Sequence, residues 1–533
     1  MKTQLFTLCI AASVISAVGQ SPAPTPKPIA IHSAGNPILS DGSYYSADPA
    51  PIVVGDTLYI LAGRDEAKPD VNNFVMNEWE MFATQNVASK RWTLYPDIAR
   101  PEMFAWSKPG HAYAGQIVQG ADKRFYMYAP VEEGKREHAD PFVIGVAVAD
   151  SPLGPWKDAH PSGPIISQSV PEPNRIQNID PTVMVDNDGR VYMYWGTFGR
   201  LRGVELEPDM VTPKGPEITV RSLTGFFEAS RLFRRKDTYY LAYAANNAGP
   251  NSPCTRAVYH ACIAYGTASS PLGPWTYQGV ILDPVSSTTS HEGIVEFKGK
   301  WYLVYHTADA KGGGHFRRSI AIDQLKWDDS VSPARMLKVK QTHEPQPPVA
   351  SSRNIAAAAH ASASNEPVPV QYWIKALNDG IVRSNPLPPD MWGSWTPHNP
   401  AKQWIQYEWA KPVTLDGSRI VFWADHHAGS NVGVAPPAVW HLEYRSGDEW
   451  RPVADAKSYE TTVNSFVDVK FDPVTTQCLR AVFDASGDGA KYAGVAVQEW
   501  EALEPKVVKP SELKKLSPAT DAKLECPATP AQP

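Results

Sequence analysis

Five strand-like cores of one aromatic pattern recur along roughly the first three hundred residues: TLYILAGR from Thr57, RFYMYAPV from Arg124, RVYMYWGT from Arg190, TYYLAYAA from Thr238 and KWYLVYHT from Lys300. Their starts lie 67, 66, 48 and 62 residues apart. Solenoid repeats are shorter, whereas a propeller blade, a sheet of four strands, uses about this much chain. The spacing therefore predicts an all-β chain that opens with a five-bladed β-propeller. SPLGPW occurs from Ser151 and again from Ser270, 119 residues apart, which is two blade lengths and supports the period independently. Its Pro-Leu-Gly-Pro run reads as a turn between outer strands and its Trp as packing between blades, with RWTLYP from Arg91 as a first-blade counterpart.

Ten to thirteen positions upstream of four of these cores stands a second, shorter strand signal: SADPAPIVV from Ser46, NIDPTVMV from Asn178, GFFEASRLF from Gly225 and SHEGIVEF from Ser290. Three carry a carboxylate at the equivalent place, Asp48, Asp180 and Glu228, and the fourth carries His291. If these are the innermost strands, the four side chains meet on the propeller axis. A lone Asp-Pro is a strand-entry or turn device, and Asp56, Asp188 and Asp237 read as hairpin residues of that kind. Three carboxylates at one repeat phase are different, because burying unpaired charge is costly. DNDG from Asp186 shares the opening of a calcium loop but lacks the downstream Glu and sits between two strand signals, so it reads as a hairpin turn.

The 533 residues allow about two to four domains, and a formal charge of −6 without a long Lys or Arg run gives no electrostatic footprint for nucleic acid or an anionic membrane. The expected ligand is neutral. Seventeen Trp and twenty-two Tyr supply flat faces that suit sugar rings, although such residues also fill β cores. MKTQLFTLCIAASVISAVGQ, with Lys2, an apolar stretch from Leu5 to Ile15 and small residues before Gln20, reads as a secretory signal over residues 1–19. No later segment approaches eighteen consecutive apolar residues, so no membrane span is expected after cleavage. The expected location is secreted or periplasmic. Cys254 and Cys262 flank a loop and suit a disulfide in such a compartment, while the pairing of Cys478 and Cys526 stays open.

Composition divides the rest. Residues 20–28 form a Pro-rich lead, 29–342 the propeller, and 343–353, containing HEPQPP, a linker. From residue 354 to 503 short alternating strands such as WIQYEW from Trp404, SRIVFWA from Ser418 and FVDVKF from Phe466 predict a β-sandwich. Residues 504–533 read as a flexible tail.

Three in-phase carboxylates suit one chemistry well. Glycoside hydrolysis needs a protonated acid at the leaving oxygen and a carboxylate that activates water or attacks the sugar, and a third carboxylate near the acid raises its pKa. ADPAPIVVGDTLYIL, NIDPTVMVDNDGRVYMYWG, FFEASRLFRRKDTYYLAYA and SHEGIVEFKGKWYLVYHTA resemble, in order and at blade spacing, the motifs of glycoside hydrolase family 43, over roughly residues 35 to 335. The resemblance implies an inverting glycosidase with Asp48 as general base, Asp180 as pKa modulator and Glu228 as general acid. His291 takes the place of the axial His, which in some members holds a hydrated calcium ion. No cofactor is required on this reading, and a structural calcium at the axis is compatible with it. Arg318, in HFRRSIAID, resembles the fifth-blade Arg that contacts substrate hydroxyls; Arg317 is the adjacent alternative, and a solvent-facing strand-edge charge is another.

WSKPGHAYAGQIVQ departs from the family in the second blade by carrying Tyr113 where similar enzymes often have Trp. Phe104 and Trp106, just before it, are candidate sugar platforms or, equally, packing residues. NIAAAAHASAS, ALNDG, KQWIQYEWAKPVTL and YAGVAVQEWEAL look like the discoidin-like, galactose-binding sandwich class, with Trp392, Trp395, His426 and His427 as loop residues able to meet a sugar or merely part of a cap on the propeller.

The expected activity is an exo-acting removal of terminal α-L-arabinofuranosyl groups from arabinoxylan or arabinan, with β-xylosidase next and arabinanase or galactanase behind it. The expected partner is plant cell-wall oligo- or polysaccharide, with no nucleic acid, and the chain is expected to be a monomer. The competing class is a non-catalytic sugar-binding propeller. A lectin would repeat one binding motif in each blade rather than vary Asp, Asp, Glu and His.

Overall fold

The structure, a computed structural model, describes residues 27–68, 71, 73–245, 254, 261–287, 289–342, 353–364, 374–380, 382, 391–456 and 459–505. The expected signal, most of the Pro-rich lead and of the linker, nearly all of the tail, and Cys526 lie outside these residues. Among the described residues regular structure is strand, with four short 3₁₀ turns, and no helix is long and apolar enough to cross a membrane.

Each aromatic core is the second strand of an antiparallel sheet, and each upstream segment is, or leads directly into, the first. Blade 1 runs outward through Tyr45–Val54, Thr57–Asp65, Trp79–Thr84, Arg91–Ala99 and Ile29–His32. Blade 2 comprises Gln116–Gln119, Phe125–Glu132, Phe142–Ala149 and Lys157–Asp158; blade 3 Thr182–Val185, Val191–Trp195, Leu201–Leu206 and Pro213–Val220. Blade 4 comprises Phe226–Arg235, Thr238–Ala245, Cys262–Ala268 and Thr276–Leu282; blade 5 Glu292–Phe297, Lys300–Thr307 and Ser319–Leu325. The inner strands neighbour one another in the order 1, 2, 3, 4, 5 and back to 1, which closes the ring.

Two blades depart from four strands. Blade 1 gains Ile29–His32 as a fifth, and blade 5 has three. The outer edge of blade 5 is instead met by the segment that links the outermost and innermost strands of blade 1. The Ile38 amide donates to the Ile320 carbonyl (2.7 Å), and the Asn36 side chain bonds both backbone groups of Ile322. This segment thus fastens the last blade to the first and covers part of that strand edge.

Alternation explains the cores. In Val191–Trp195 both faces are buried, because each blade packs against a neighbour on either side. Trp275 of the second SPLGPW turn lies between blades 3 and 4, donating to the Tyr194 hydroxyl (3.0 Å), as expected of an interblade Trp. The inner strands are also stitched by side chains. Gln116 of blade 2 exchanges hydrogen bonds with the Val183 backbone of blade 3 (2.7 and 3.0 Å), and Thr182 accepts the Leu232 amide of blade 4 (3.0 Å). Blades 5 and 1 approach so closely that a Cβ on Gly293 would stand 2.0 Å from Pro51 Cδ, so only glycine fits.

The C-terminal region is one continuously paired seven-strand sheet. Its long strands Lys402–Trp423 and Val467–Asp484 shift register twice, at Glu408/Val413 and Leu415/Gly417, and wrap around a core that includes Tyr407, Trp440, Phe483 and Trp500. This is a sandwich-type β domain, and no strand of it is shared with the propeller. Trp392, expected in a loop, is in a strand and 1% exposed, so it is core and not a sugar contact. Trp395 is half-buried beside Met391, Val434 and Ala496, whereas His426 and His427 are exposed.

Candidate active site

The inner strands begin at one end of the propeller, and antiparallel pairing returns the second strand to the same end. The mouth is therefore built from segments entering the inner strands and from loops joining second to third strands. Asp48, Asp180 and Glu228 all sit at that end, beside irregular backbone. Asp48 and Asp180 have φ of 57° and 56°, and Ala229 follows Glu228 at 57°. The ladder slips between Ala47 and Ala50 and on both sides of Glu228. Left-handed non-glycine residues cost about 1–2 kcal/mol each, and here they turn side chains out of the ladder toward the axis.

Asp48 is 8% exposed and held from three sides. Arg318 Nη1 donates to its Oδ1 (2.9 Å), its own amide donates to His306 Nδ1 (3.2 Å), and His291 Nδ1 lies 3.8 Å from Oδ1. Burial by itself would push this carboxyl up; the Arg318 guanidinium, then the His306 and His291 rings, outweigh it and hold it well below the usual carboxylate range. Asp48 is thus ionised at neutral pH. The guanidinium is fixed in turn by Asp65, which takes Nε (2.9 Å), Nη2 (3.0 Å) and the Arg318 amide (2.8 Å), while the Phe74 ring covers it at 4.8 Å.

Across the axis the balance is reversed. The Thr197 hydroxyl donates to Glu228 Oε2 (2.7 Å), and the Ala229 amide donates to Asp180 Oδ2 (2.9 Å). Among the described residues no cation forms an ion pair with either carboxyl. Burial, and then the charge of Asp48, raise Glu228 to about 7. Burial, and then the charges of Glu228 and Asp48, push Asp180 well up. Two facing carboxyls in such a site cannot both ionise, so the pair retains a proton through neutral pH. One end of the cluster is an ionised carboxylate and the other a carboxylic acid, the arrangement that acid and base catalysis of glycosidic cleavage requires.

His291 joins the cluster, with burial pushing its ring down to about 4, so it is neutral. Tyr113 joins it as well. Its ring stacks on Phe142 (5.0 Å) and meets Phe74 edge-on (6.3 Å), and burial raises its hydroxyl to about 12. Arg318 is 3% exposed, so it is not a solvent-facing charge. Arg317 bonds the Gly312 and Lys68 carbonyls and ties two mouth loops together. Phe104 and Trp106 are not platforms. Phe104 is 1% exposed, and Trp106, stacked on it at 4.9 Å, donates to Asp158 on the outermost strand of blade 2. Both follow a 3₁₀ turn whose chain lies against the blade face, and the close approach of Phe104 to Gly145 fills the space there.

Sequence reasoning missed Asp65, Thr197 and His306. His306 occupies the core position held by Gly63, Pro130, Gly196 and Ala244 in the other repeats, so a polar residue in a small-residue slot was its signal. Among the described residues no three His, Cys, Asp or Glu side chains converge as a metal-ligand set. A hydrated calcium ion at His291 would draw its remaining ligands from water, since calcium takes six to eight oxygen ligands. The Cys254–Cys262 disulfide is present at the start of the third strand of blade 4.

Residues 34–332 match the model of glycosyl hydrolases family 43. A xylosidase/arabinosidase of Bacteroides ovatus is 29% identical over 331 residues, 53% of this chain and 92% of that protein. A beta-xylosidase of Xylanibacter ruminicola is 27% identical over 54% of this chain and 95% of its own length. An arabinoxylan arabinofuranohydrolase of Bacillus subtilis strain 168 is 29% identical over 54% of this chain and 61% of its own. The matched span takes in all five inner strands and the buried carboxyls between them, and by that match the chain is a glycoside hydrolase belonging to glycosyl hydrolases family 43.

Proposed function

We propose that this chain is an inverting exo-glycosidase that removes terminal α-L-arabinofuranosyl groups from arabinoxylan or arabinan. The observation that carries the mechanism is the opposed protonation of Asp48 and Glu228. Glu228 gives its proton to the glycosidic oxygen as the bond to the anomeric carbon breaks. Asp48 takes a proton from a water that adds to that carbon from the opposite face. Blades 1 and 4 have blade 5 between them on the shorter side of the ring, and inverting enzymes use a carboxyl separation of roughly 6.5–9.5 Å to admit such a water. Proton exchange with solvent restores both groups.

Asp180 acts through Glu228. It accepts the amide that follows Glu228, and because the two carboxyls share one site, an ionised Asp180 would oppose ionisation of the acid. Replacing Asp180 by Asn removes that opposition. The pKa of Glu228 then falls from about 7, and the basic limb of the pH–rate profile, where the acid loses its proton, moves to lower pH. An unmoved limb would remove Asp180 from this role. His291, Arg318 and Tyr113, which border Asp48, hold the terminal sugar.

Arabinofuranose is supported by the arabinosidase and arabinofuranohydrolase names among the relatives. A second reading, β-xylosidase, is favoured by the Xylanibacter relative, and the two sugars present similar hydroxyl patterns. A panel of p-nitrophenyl α-L-arabinofuranoside, β-D-xyloside and β-D-galactoside separates them; the arabinofuranoside is expected to give the highest kcat/KM. The reading includes export to the cell exterior or periplasm, which the Cys254–Cys262 disulfide supports. It takes residues 354–503 as a discoidin-like accessory module, consistent with the separate sheets.

A further inference from the structure

Phe198 is out of place as a structural residue. At 65% exposure it is the one exposed Phe, Trp or Tyr among the described residues, so its ring gains little from burial. Its backbone is left-handed, with φ of 51°, a conformation unfavourable for a bulky side chain, and Gly199 follows at 75°. A loop that needed only to turn would place Gly or Asn at both positions. The loop is nonetheless firmly held. The Gly196 amide donates to the Ile179 carbonyl (2.9 Å), the Gly199 amide to the Phe227 carbonyl (3.1 Å), the Arg200 amide to the Thr197 carbonyl (3.1 Å) and Arg200 Nη1 to the Arg175 carbonyl (2.6 Å).

Its location gives the ring a use. Phe198 directly follows Thr197, whose hydroxyl bonds Glu228, and it meets edge-on, at 5.4 Å, the ring of Phe227, which directly precedes Glu228. The aromatic pair thus flanks the carboxylic acid within one residue on both segments. The Asp48 side has different walls, Tyr113, Phe74 and Arg318. On the reading that Glu228 protonates the leaving oxygen, whatever is attached to that oxygen emerges on the Phe198 side. An apolar, flat, solvent-facing surface there suits the C–H face of a pyranose ring.

We propose that Phe198, backed by Phe227, is the platform for the leaving-group sugar, a β-linked xylopyranosyl unit of the main chain. The proposal rests on the assignment of Glu228 as the acid. It is tested with Phe198→Ala in the full chain on two substrates: a xylo-oligosaccharide bearing one arabinofuranosyl branch, and α-L-arabinofuranosyl fluoride, whose leaving group is a single atom. The ratio of the two kcat/KM values is expected to fall about tenfold against the oligosaccharide, the size of one aromatic stacking contact, and Phe198→Trp should restore most of it. An unchanged ratio overturns the proposal. Xylotriose binding, followed by calorimetry on wild type and Phe198→Ala, gives a readout independent of turnover, and equal affinities would overturn it as well. If the wild type cleaved neither arabinofuranosides nor xylosides, the proposed function would fall, and the calorimetry would still decide the subsite.

Discussion

Replacing Glu228 by Gln is expected to lower kcat/KM on arabinoxylo-oligosaccharides by about 10²- to 10⁴-fold, the usual contribution of a positioned general acid. Gln keeps the shape and can still accept the Thr197 hydroxyl, so the thermal midpoint should hold or rise, because a half-buried carboxyl without an ion-pair partner among the described residues is exchanged for a neutral amide. The loss should depend on the leaving group. Substrates whose departing oxygen needs no proton, such as dinitrophenyl glycosides, should retain much more activity than oligosaccharides. A uniform loss across leaving groups would mean that Glu228 does something other than protonate the departing oxygen.

Replacing Asp48 by Asn should lower kcat/KM by a similar about 10²- to 10⁴-fold, but on all substrates alike, because every one of them needs the attacking water. The structural cost is contained. Arg318 loses the charge of its partner at 2.9 Å, though Asn keeps an oxygen able to accept from Nη1, and Asp65 remains on Nε and Nη2, so no cation is left buried and unpaired. Removing Asp65 instead would leave Arg318 with Asp48 alone, and breaking such a buried pair costs about 3–5 kcal/mol. Measuring both the thermal midpoint and kcat/KM for Asp48→Asn therefore separates chemistry from folding. Near-normal turnover in the folded variant would sink the base assignment.

What the sequence reveals follows from which interactions are local. The five aromatic cores are legible because strand alternation is a two-residue pattern, and the acids are legible because the repeat places Asp48, Asp180 and Glu228 at one phase before those cores. The support around them is not. Arg318 and Asp65 are 253 residues apart, and the Asp48 amide finds His306 across 258; only ring closure joins them. The same holds for the edge of blade 5, partly covered by Asn36 and Ile38 from 286 and 282 residues upstream of Ile322 and Ile320. Phe104 and Trp106 misled because an aromatic pair after a loop signal looks the same whether it faces a ligand or a blade. Phe198 carries the opposite lesson. Nothing in TFGR marks its ring as exposed, and only the left-handed backbone and the neighbouring acid give it meaning.

The central claim, that an ionised Asp48 and a protonated Glu228 face each other across a water, is tested most directly by the configuration of the first sugar released. Proton NMR in the first minutes of hydrolysis, before mutarotation, should show the anomer opposite to that of the substrate. Retention of configuration, or transfer of the sugar to added methanol with retention, would contradict the account and the roles of both carboxyls.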